Sequence, residues 1–265
     1  MNIFYCPYKI LVEENQLFPQ THVYFAETVL GKQGDAVTLG SILPDMLIGM
    51  DFNHYEAHSK GIEIYNFTGR DSSLRYFGNA VATHGFVPEG LDYYGDEKYL
   101  DFEKGYCFEK ARPFILKTVD ACNIPLEMGW WKAHNIIEMG VEFLISSKEH
   151  YSERVMSALF NKCLIDEVDE MLQELWKENN FTFPRRVERF AKLVEIEKAT
   201  ASSLANKYRL QMQLRHQVEI DVTKVAKLIG DAAEKVSLDL EDFFNITTAM
   251  VKYNIWKLDK KSNIV

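Results

Sequence analysis

The chain is predicted to be all-α, and three observations predict it. Apolar residues recur at helical spacing along most of the 265 residues. No stretch alternates apolar and polar residues in the way a half-buried strand does. Beyond His150, four long, charged, amphipathic patterns follow one another with few strand signals.

The elements follow in order. Residues 1–19 are aromatic and irregular and read as a packed N-terminal arm. Residues 21–31 set Val23, Ala26, Val29 and Leu30 on one face, with Thr21 suited to cap the helix and Gly31 to stop it. A second helix is expected over 35–43, ended by Pro44, with Asp45 on the bend that closes this apolar run. Residues 53–67 carry His54 and His58 one turn apart. Asp71-Ser72-Ser73 reads as a capping run for a helix through Leu74, Phe77, Ala80 and Val81 to His84, broken by Gly85 and Pro88.

Residues 89–95 read as a loop, and 97–121 as helical with a kink near Pro113. Pro125 suits the first position of a helix running to about Ser147. The later patterns cover 151–179, 184–217, 222–236 and 238–258. Residues 1–148 are thus expected to form one helical unit and 149–265 a helical extension packed on it, in one continuous domain.

Composition narrows the function. The chain is 47% hydrophobic and 26% charged, as in ordinary globular proteins. A net charge of −9 argues against a duplex nucleic-acid binder, which needs a basic footprint. The acidity is concentrated early: residues 1–132 hold 11 basic and 18 acidic side chains, a balance that favours a cation site. No stretch is long and apolar enough for a transmembrane segment, and the N-terminus lacks a signal peptide's basic start and apolar run. A cytoplasmic location is expected. The cysteines, Cys6, Cys107, Cys122 and Cys163, show no C-x-x-C spacing and read as buried apolar residues or bystanders.

The chemistry-bearing residues centre on His134-Asn135-Ile136-Ile137-Glu138. On a helix, His134 and Glu138 share a face and can hold one metal ion between them. Upstream lie His22, Asp45, His54, His58 and His84, most of them at helix ends or on otherwise apolar faces. Each alone has an ordinary reading: a helix-end histidine, a turn aspartate, a surface pair, a core histidine. Together they are costly to bury unpaired, and one shared cation satisfies them all. His54-x-x-x-His58 is not a metalloprotease motif, because Tyr55 stands where that motif has Glu. Arg185-Arg186 and Arg189 form a basic cluster that reads as a solvated helix face, with a phosphate contact as the alternative.

In this order the residues resemble a family. Thr21-His22 opening a helix, Gly40-Ser41-Ile42-Leu43-Pro44-Asp45, a histidine about a dozen residues later, a helix ending in His84, and His134-x-x-x-Glu138 are similar to the zinc-dependent phospholipase C family, whose fold is shared with single-strand-specific zinc nucleases. The resemblance spans roughly residues 21–143. It implies a multi-helix phospholipase C-like bundle with additional C-terminal helices, and metal ligands at His22, Asp45, His58, His84, His134 and Glu138. Asp45 is also implied to orient or deprotonate the attacking water.

The family's Asp one turn after its middle histidine is here Pro88, and a further expected histidine is Tyr94. His54, Glu89 and Asp92 are therefore further candidate ligands, and one or two ions are expected rather than three. The cofactor is zinc or another divalent transition metal, Fe, Mn or Ni, since such N/O donor sets accept each of them.

The expected function is a metal-dependent hydrolase of phosphoric esters, a phosphodiesterase, with a phosphate-ester substrate. The alternative is a non-catalytic or regulatory helical protein retaining a structural metal. No adjacent His-Asp pair occurs, which counts against a nucleotide phosphohydrolase built on that dyad. The C-terminal helices offer a surface for homodimerisation.

Overall fold

The computed structural model describes residues 18–49, 52–69, 72–177, 182–192 and 199–261. Among them there is no strand, and one isolated bridge joins Ile48 and Phe52. Helix α1 (Pro19–Leu30) starts on Pro19, whose fixed φ suits the first turn, and stops at Gly31 in the left-handed region at φ 60°. Helix α2 spans Asp35–Leu47. The short α3 (His54–His58) is closed by a capping box between Asn53 and Glu56. Helices α4 (Gly61–Thr68) and α5 (Arg75–Val81) follow, then a π-helical turn over Tyr93–Glu97.

Helix α6 (Tyr106–Ala111) runs through a 3₁₀ turn at Arg112–Phe114 into α7 (Ile115–Cys122). A further 3₁₀ turn at Leu126–Met128 leads into α8 (Gly129–Ser146). The rest comprises α9 (Tyr151–Phe160), α10 (Lys162–Leu175), α11 (Phe183–Ala191), α12 (Ala201–His216), α13 (Val222–Val236) and α14 (Leu240–Lys261).

Two helices organise the packing. α8 is surrounded by α13, α6, α7 and α1, and α2 packs against α5, α1 and α9. Gly40 lets α2 and α5 approach closely: a Cβ there would meet the Phe77 carbonyl oxygen at 2.3 Å. The buried apolar side chains from both sides of residue 149, among them Phe25, Ile42, Ile136, Phe183 and Ile229, belong to one contiguous core. Among the described residues, no helix is long and apolar enough to cross a membrane.

Several boundaries differ from the sequence reading. α2 does not end at Pro44 but carries it inside the helix, so Asp45 lies in the last turn, buried, and not on a bend. Residues 89–95 are not all loop, since the chain is helical from Leu91. α5 ends at Val81, three residues before His84, which sits in a turn. Asp71, expected to begin the cap of that helix, lies outside the described residues. The pattern over 151–179 breaks at Asn161, which caps α10. Arg186 is not on a solvated face: it is buried, donating from Nε to the Met46 carbonyl at 2.7 Å and from Nη2 to the Ile48 carbonyl. It thereby binds α11 to the end of α2, while Arg185 and Arg189 are exposed.

The start of α1 is capped from a distant helix. Thr21 is not its cap; instead the Glu142 carboxylate on α8 accepts from Gln20 N at 3.1 Å, Thr21 N at 2.8 Å and Thr21 Oγ at 2.6 Å. These are donors that a helix N-terminus leaves without intrahelical partners. Glu142 is 2% exposed. Burial pushes its carboxyl up to about 7, against the lowering pull of the Thr21 and Gln20 hydrogen bonds. The native state therefore holds this proton between pH 4.5 and about 7, where the unfolded chain has released it. The stability this group contributes is present at acid pH and falls as pH rises through that window.

Replacing Glu142 by Gln turns an amide nitrogen toward a backbone donor, and should lower the unfolding free energy by about 1–3 kcal/mol at neutral pH. The deficit should widen toward about pH 5, where only the wild type gains stability. Urea unfolding of both proteins at two pH values checks this, and a pH-independent deficit would refute the titration.

Candidate metal centre

Seven side chains predicted from the sequence, Asp92 among them, and an eighth, Asp96, form neighbouring groups on the inner sides of α1, α2, α3 and α8. His58 is placed by α3, and its ring Nδ1 donates to the His54 carbonyl at 2.9 Å. His84 is placed by the turn after α5, and its Nδ1 donates to the Ser41 carbonyl at 2.5 Å. That carbonyl lies on α2, three residues before Pro44.

A carbonyl oxygen only accepts, so both Nδ1 atoms carry hydrogen and both Nε2 atoms are left to face inward. They lie 3.2 Å apart. Around them, Asp45 Oδ1 is 3.5 Å from His58 Nε2 and 3.9 Å from His84 Nε2, and Asp92 Oδ2 is 3.1 Å from each.

His22 enters from α1, its ring stacked on His84 with centroids 3.7 Å apart, and its Nε2 is 3.6 Å from Asp92 Oδ1. Asp92 thus faces three histidines. A second group lies one helical turn further along the chain: His134 Nε2 is 2.8 Å from Asp96 Oδ1 and 3.2 Å from Glu138 Oε1. His134 Nδ1 pairs with Asn135 Oδ1 at 3.0 Å. Three donor sets result, His22/His84/Asp92, Asp45/His58/His84 and Asp96/His134/Glu138, and within each the ligating atoms lie within 4.8 Å of one another.

Burial and mutual contacts shift several of these groups. Burial disfavours a charged His58, yet its hydrogen bonds to Asp45 and Asp92 overcome that and raise it to about 10. Burial would also raise Asp92, but His84 and His22 beside it hold the carboxyl well below the usual range. His22, with less compensation, is lowered to about 4 by burial. Asp45 Oδ2 and His22 Nδ1 are buried with no hydrogen-bond partner. Carboxylate oxygens and imidazole nitrogens in this mixture are the donors that divalent transition metals accept. The residues present fit such an ion.

Between the two halves lies a cavity of about 40 Å³, lined by His22, Asp92, Asp96 and Glu138 on its polar side and by Phe18, Phe243 and Phe244 on its apolar side. It has room for a few water molecules.

Among the further candidates, Asp92 joins the cluster and Glu89 does not: its carbonyl and carboxylate accept from Asn254 on α14 at 3.1 and 3.3 Å. His54 stacks on His58, centroids 4.2 Å apart, and supplies it with a carbonyl, not a ring nitrogen. Tyr94 lies in the π-helical turn, and its hydroxyl accepts from Asn254.

Asp96 is absent from the sequence-derived set. It follows Asp92 by four residues, the same spacing that singles out His134 and Glu138, and that was the available signal. It falls between the segment read as a loop, 89–95, and the helix expected over 97–121.

Comparisons with protein-family models, curated proteins and solved structures return no match for this chain.

Gly85 sets the spacing between His58 and His84. A Cβ at Gly85 would stand 2.1 Å from the His58 carbonyl oxygen, where Phe86 N now donates at 2.7 Å. Gly85→Ala is expected to destabilise the fold by about 1–3 kcal/mol through overpacking. It should also move the imidazole resonances of His58 and His84, read by NMR; unchanged resonances would show that the contact does not position the rings.

Proposed function

We propose that this protein is a divalent-metal-dependent hydrolase of phosphoric esters, a phosphodiesterase similar to the zinc-dependent phospholipase C family that its residue order resembles. The observation that carries this reading is the pair of inward-facing Nε2 atoms of His58 and His84, 3.2 Å apart and enclosed by Asp45 and Asp92. Their outer nitrogens are held by carbonyls, as the outer nitrogens of metal-binding histidines commonly are.

Asp45, His58, His84 and Asp92 would hold one ion, with His22 beside them, and Asp96, His134 and Glu138 a second. Zinc is the first choice, with Fe, Mn or Ni accepted by the same donors. Such an ion, when bound, lowers the pKa of coordinated water and offsets negative charge on a phosphate.

The chain's own groups would do the rest. Asp45 Oδ2, buried and without a hydrogen-bond partner, is the acceptor available for a proton from water, the role of general base. Its carboxyl would be raised by burial, but the hydrogen bond with His58 and the nearby His84 and His22 keep it lowered and ready to accept. Ser41 and His54, through their carbonyls, hold the Nδ1 protons of the two imidazoles, so that Nε2 is the nitrogen each ring would offer an ion, His58 by giving up a proton. Phe18, Phe243 and Phe244 keep bulk water from the polar wall.

Elemental analysis of the purified protein should find stoichiometric transition metal. Asp92→Asn and Asp96→Asn should each weaken retention at least about tenfold, whereas Glu89→Gln should leave it unchanged. Hydrolysis of bis(p-nitrophenyl) phosphate should be abolished by chelation and lowered roughly 10²–10⁴-fold by Asp45→Asn. Protein without stoichiometric metal, or a His134→Ala variant with metal and turnover intact, would refute the reading.

One observation favours a second reading, a non-catalytic protein with a structural metal: the cavity of about 40 Å³ is walled by three phenylalanines. Metal that raises the melting temperature with no turnover of phosphodiesters is its signature.

A further inference from the structure

The orientation of α14 is fixed by its inner side. Phe243, Phe244, Thr247 and Val251 are buried, Asn254 reaches Glu89, and Asp259 accepts from the Tyr65 hydroxyl at 2.6 Å. The opposite side is consequently turned outward. On it Ile246, Ala249, Tyr253 and Trp256 follow at alternating steps of three and four residues, the seam spacing of a coiled coil. Ile246, Tyr253 and Trp256 are 37%, 54% and 52% exposed. The Tyr253 and Trp256 rings stack at 5.8 Å.

The same spacing continues into charge at both ends, to Asp242 before Ile246 and to Lys260 after Trp256. The stripe is symmetric about Val251 in a particular way. Asp242 and Lys260 stand equally far from it, as do Ile246 and Trp256, and Ala249 and Tyr253. Each pair joins opposites: acid with base, smaller side chain with larger.

We propose that α14 pairs antiparallel with α14 of a second copy of this chain, about a two-fold axis at Val251. In that arrangement Asp242 of each copy meets Lys260 of the other, Ile246 meets Trp256, and Ala249 makes room for Tyr253. A two-fold axis forms every one of these contacts twice. A parallel pairing would set Asp242 against Asp242 and Trp256 against Trp256. An anionic lipid surface would bring Glu241 and Asp242, both exposed at the start of the helix, against like charge. Lys252 flanks the stripe close to the axis and would lie near its own symmetry mate, so the expected affinity is moderate, on the order of micromolar Kd.

Sedimentation velocity on the full chain, from about 1 to 100 µM, should show a monomer–dimer equilibrium. Lys260→Glu and Asp242→Lys, each placing like charges together twice in the dimer, should weaken it about tenfold or more. The double variant with the charges exchanged should restore it, an outcome that only a pairing of position 242 with position 260 produces. Trp256→Ala should weaken it as well. All three positions are exposed, so circular dichroism of the variants, measured below the dimer's dissociation constant, should match that of the wild type.

A chain that remains monomeric at about 100 µM overturns the proposal, including a monomer that cosediments with phosphatidylserine vesicles, which would give the stripe to lipid. So does a dimer whose affinity is indifferent to the charge changes, or one that the double variant fails to restore.

Discussion

A carboxylate near the end of α8 closes the beginning of α1, some 120 residues earlier in the chain. Much of the centre depends on this contact. By taking the first amides of α1, Glu142 fixes where that helix starts, and so where His22, one residue past Thr21, presents its ring to His84. Glu138 and His134 lie one and two turns back along α8 on the same side as Glu142. One face of one helix thus contributes both to the second donor set and to the orientation of the first. A small rotation of α8 would disturb both together, and its dense packing against α13, α6 and α7 opposes that rotation.

The inner donors depend on backbone as much as on side chains. His58 and His84 are held by the carbonyls of His54, at the start of the short α3, and of Ser41 on α2. Close approaches at Gly40 and Gly85 then fix how near those carbonyls come to the rings. The result is a cluster of lone pairs and carboxylates that is costly in isolation and is tolerated because the surrounding backbone over-determines it.

Helical periodicity made the all-α class and most of the helices readable, and the i, i+4 spacing of His134 with Glu138 predicted a pair that lies 3.2 Å apart on one face of α8. What escaped was whatever depends on contacts between elements far apart in sequence. Glu142 looks like one more charged position on an amphipathic helix; only the arrival of α1 makes it a buried cap. Arg186 sits in a basic cluster that reads as solvated, until the carbonyls of Met46 and Ile48 claim it. Asp96 fell between the loop expected over 89–95 and the helix expected over 97–121; it lies in the π-helical turn Tyr93–Glu97, with Asp92 just before that turn facing one donor set and Asp96 facing the other. Pro44 was a local stop signal overruled by the burial of the residues around it.

The cavity has an order of assembly written into its walls. Its polar side comes from residues up to Glu138, whereas Phe243 and Phe244 belong to the last helix. In a chain synthesised from its N-terminus, Phe18 and every donor of the cluster have emerged before Phe243 and Phe244 complete the aromatic wall. There is therefore an interval in biogenesis when the donors are complete and open to solutes. Docking of α14 is the step that completes the wall around these side chains.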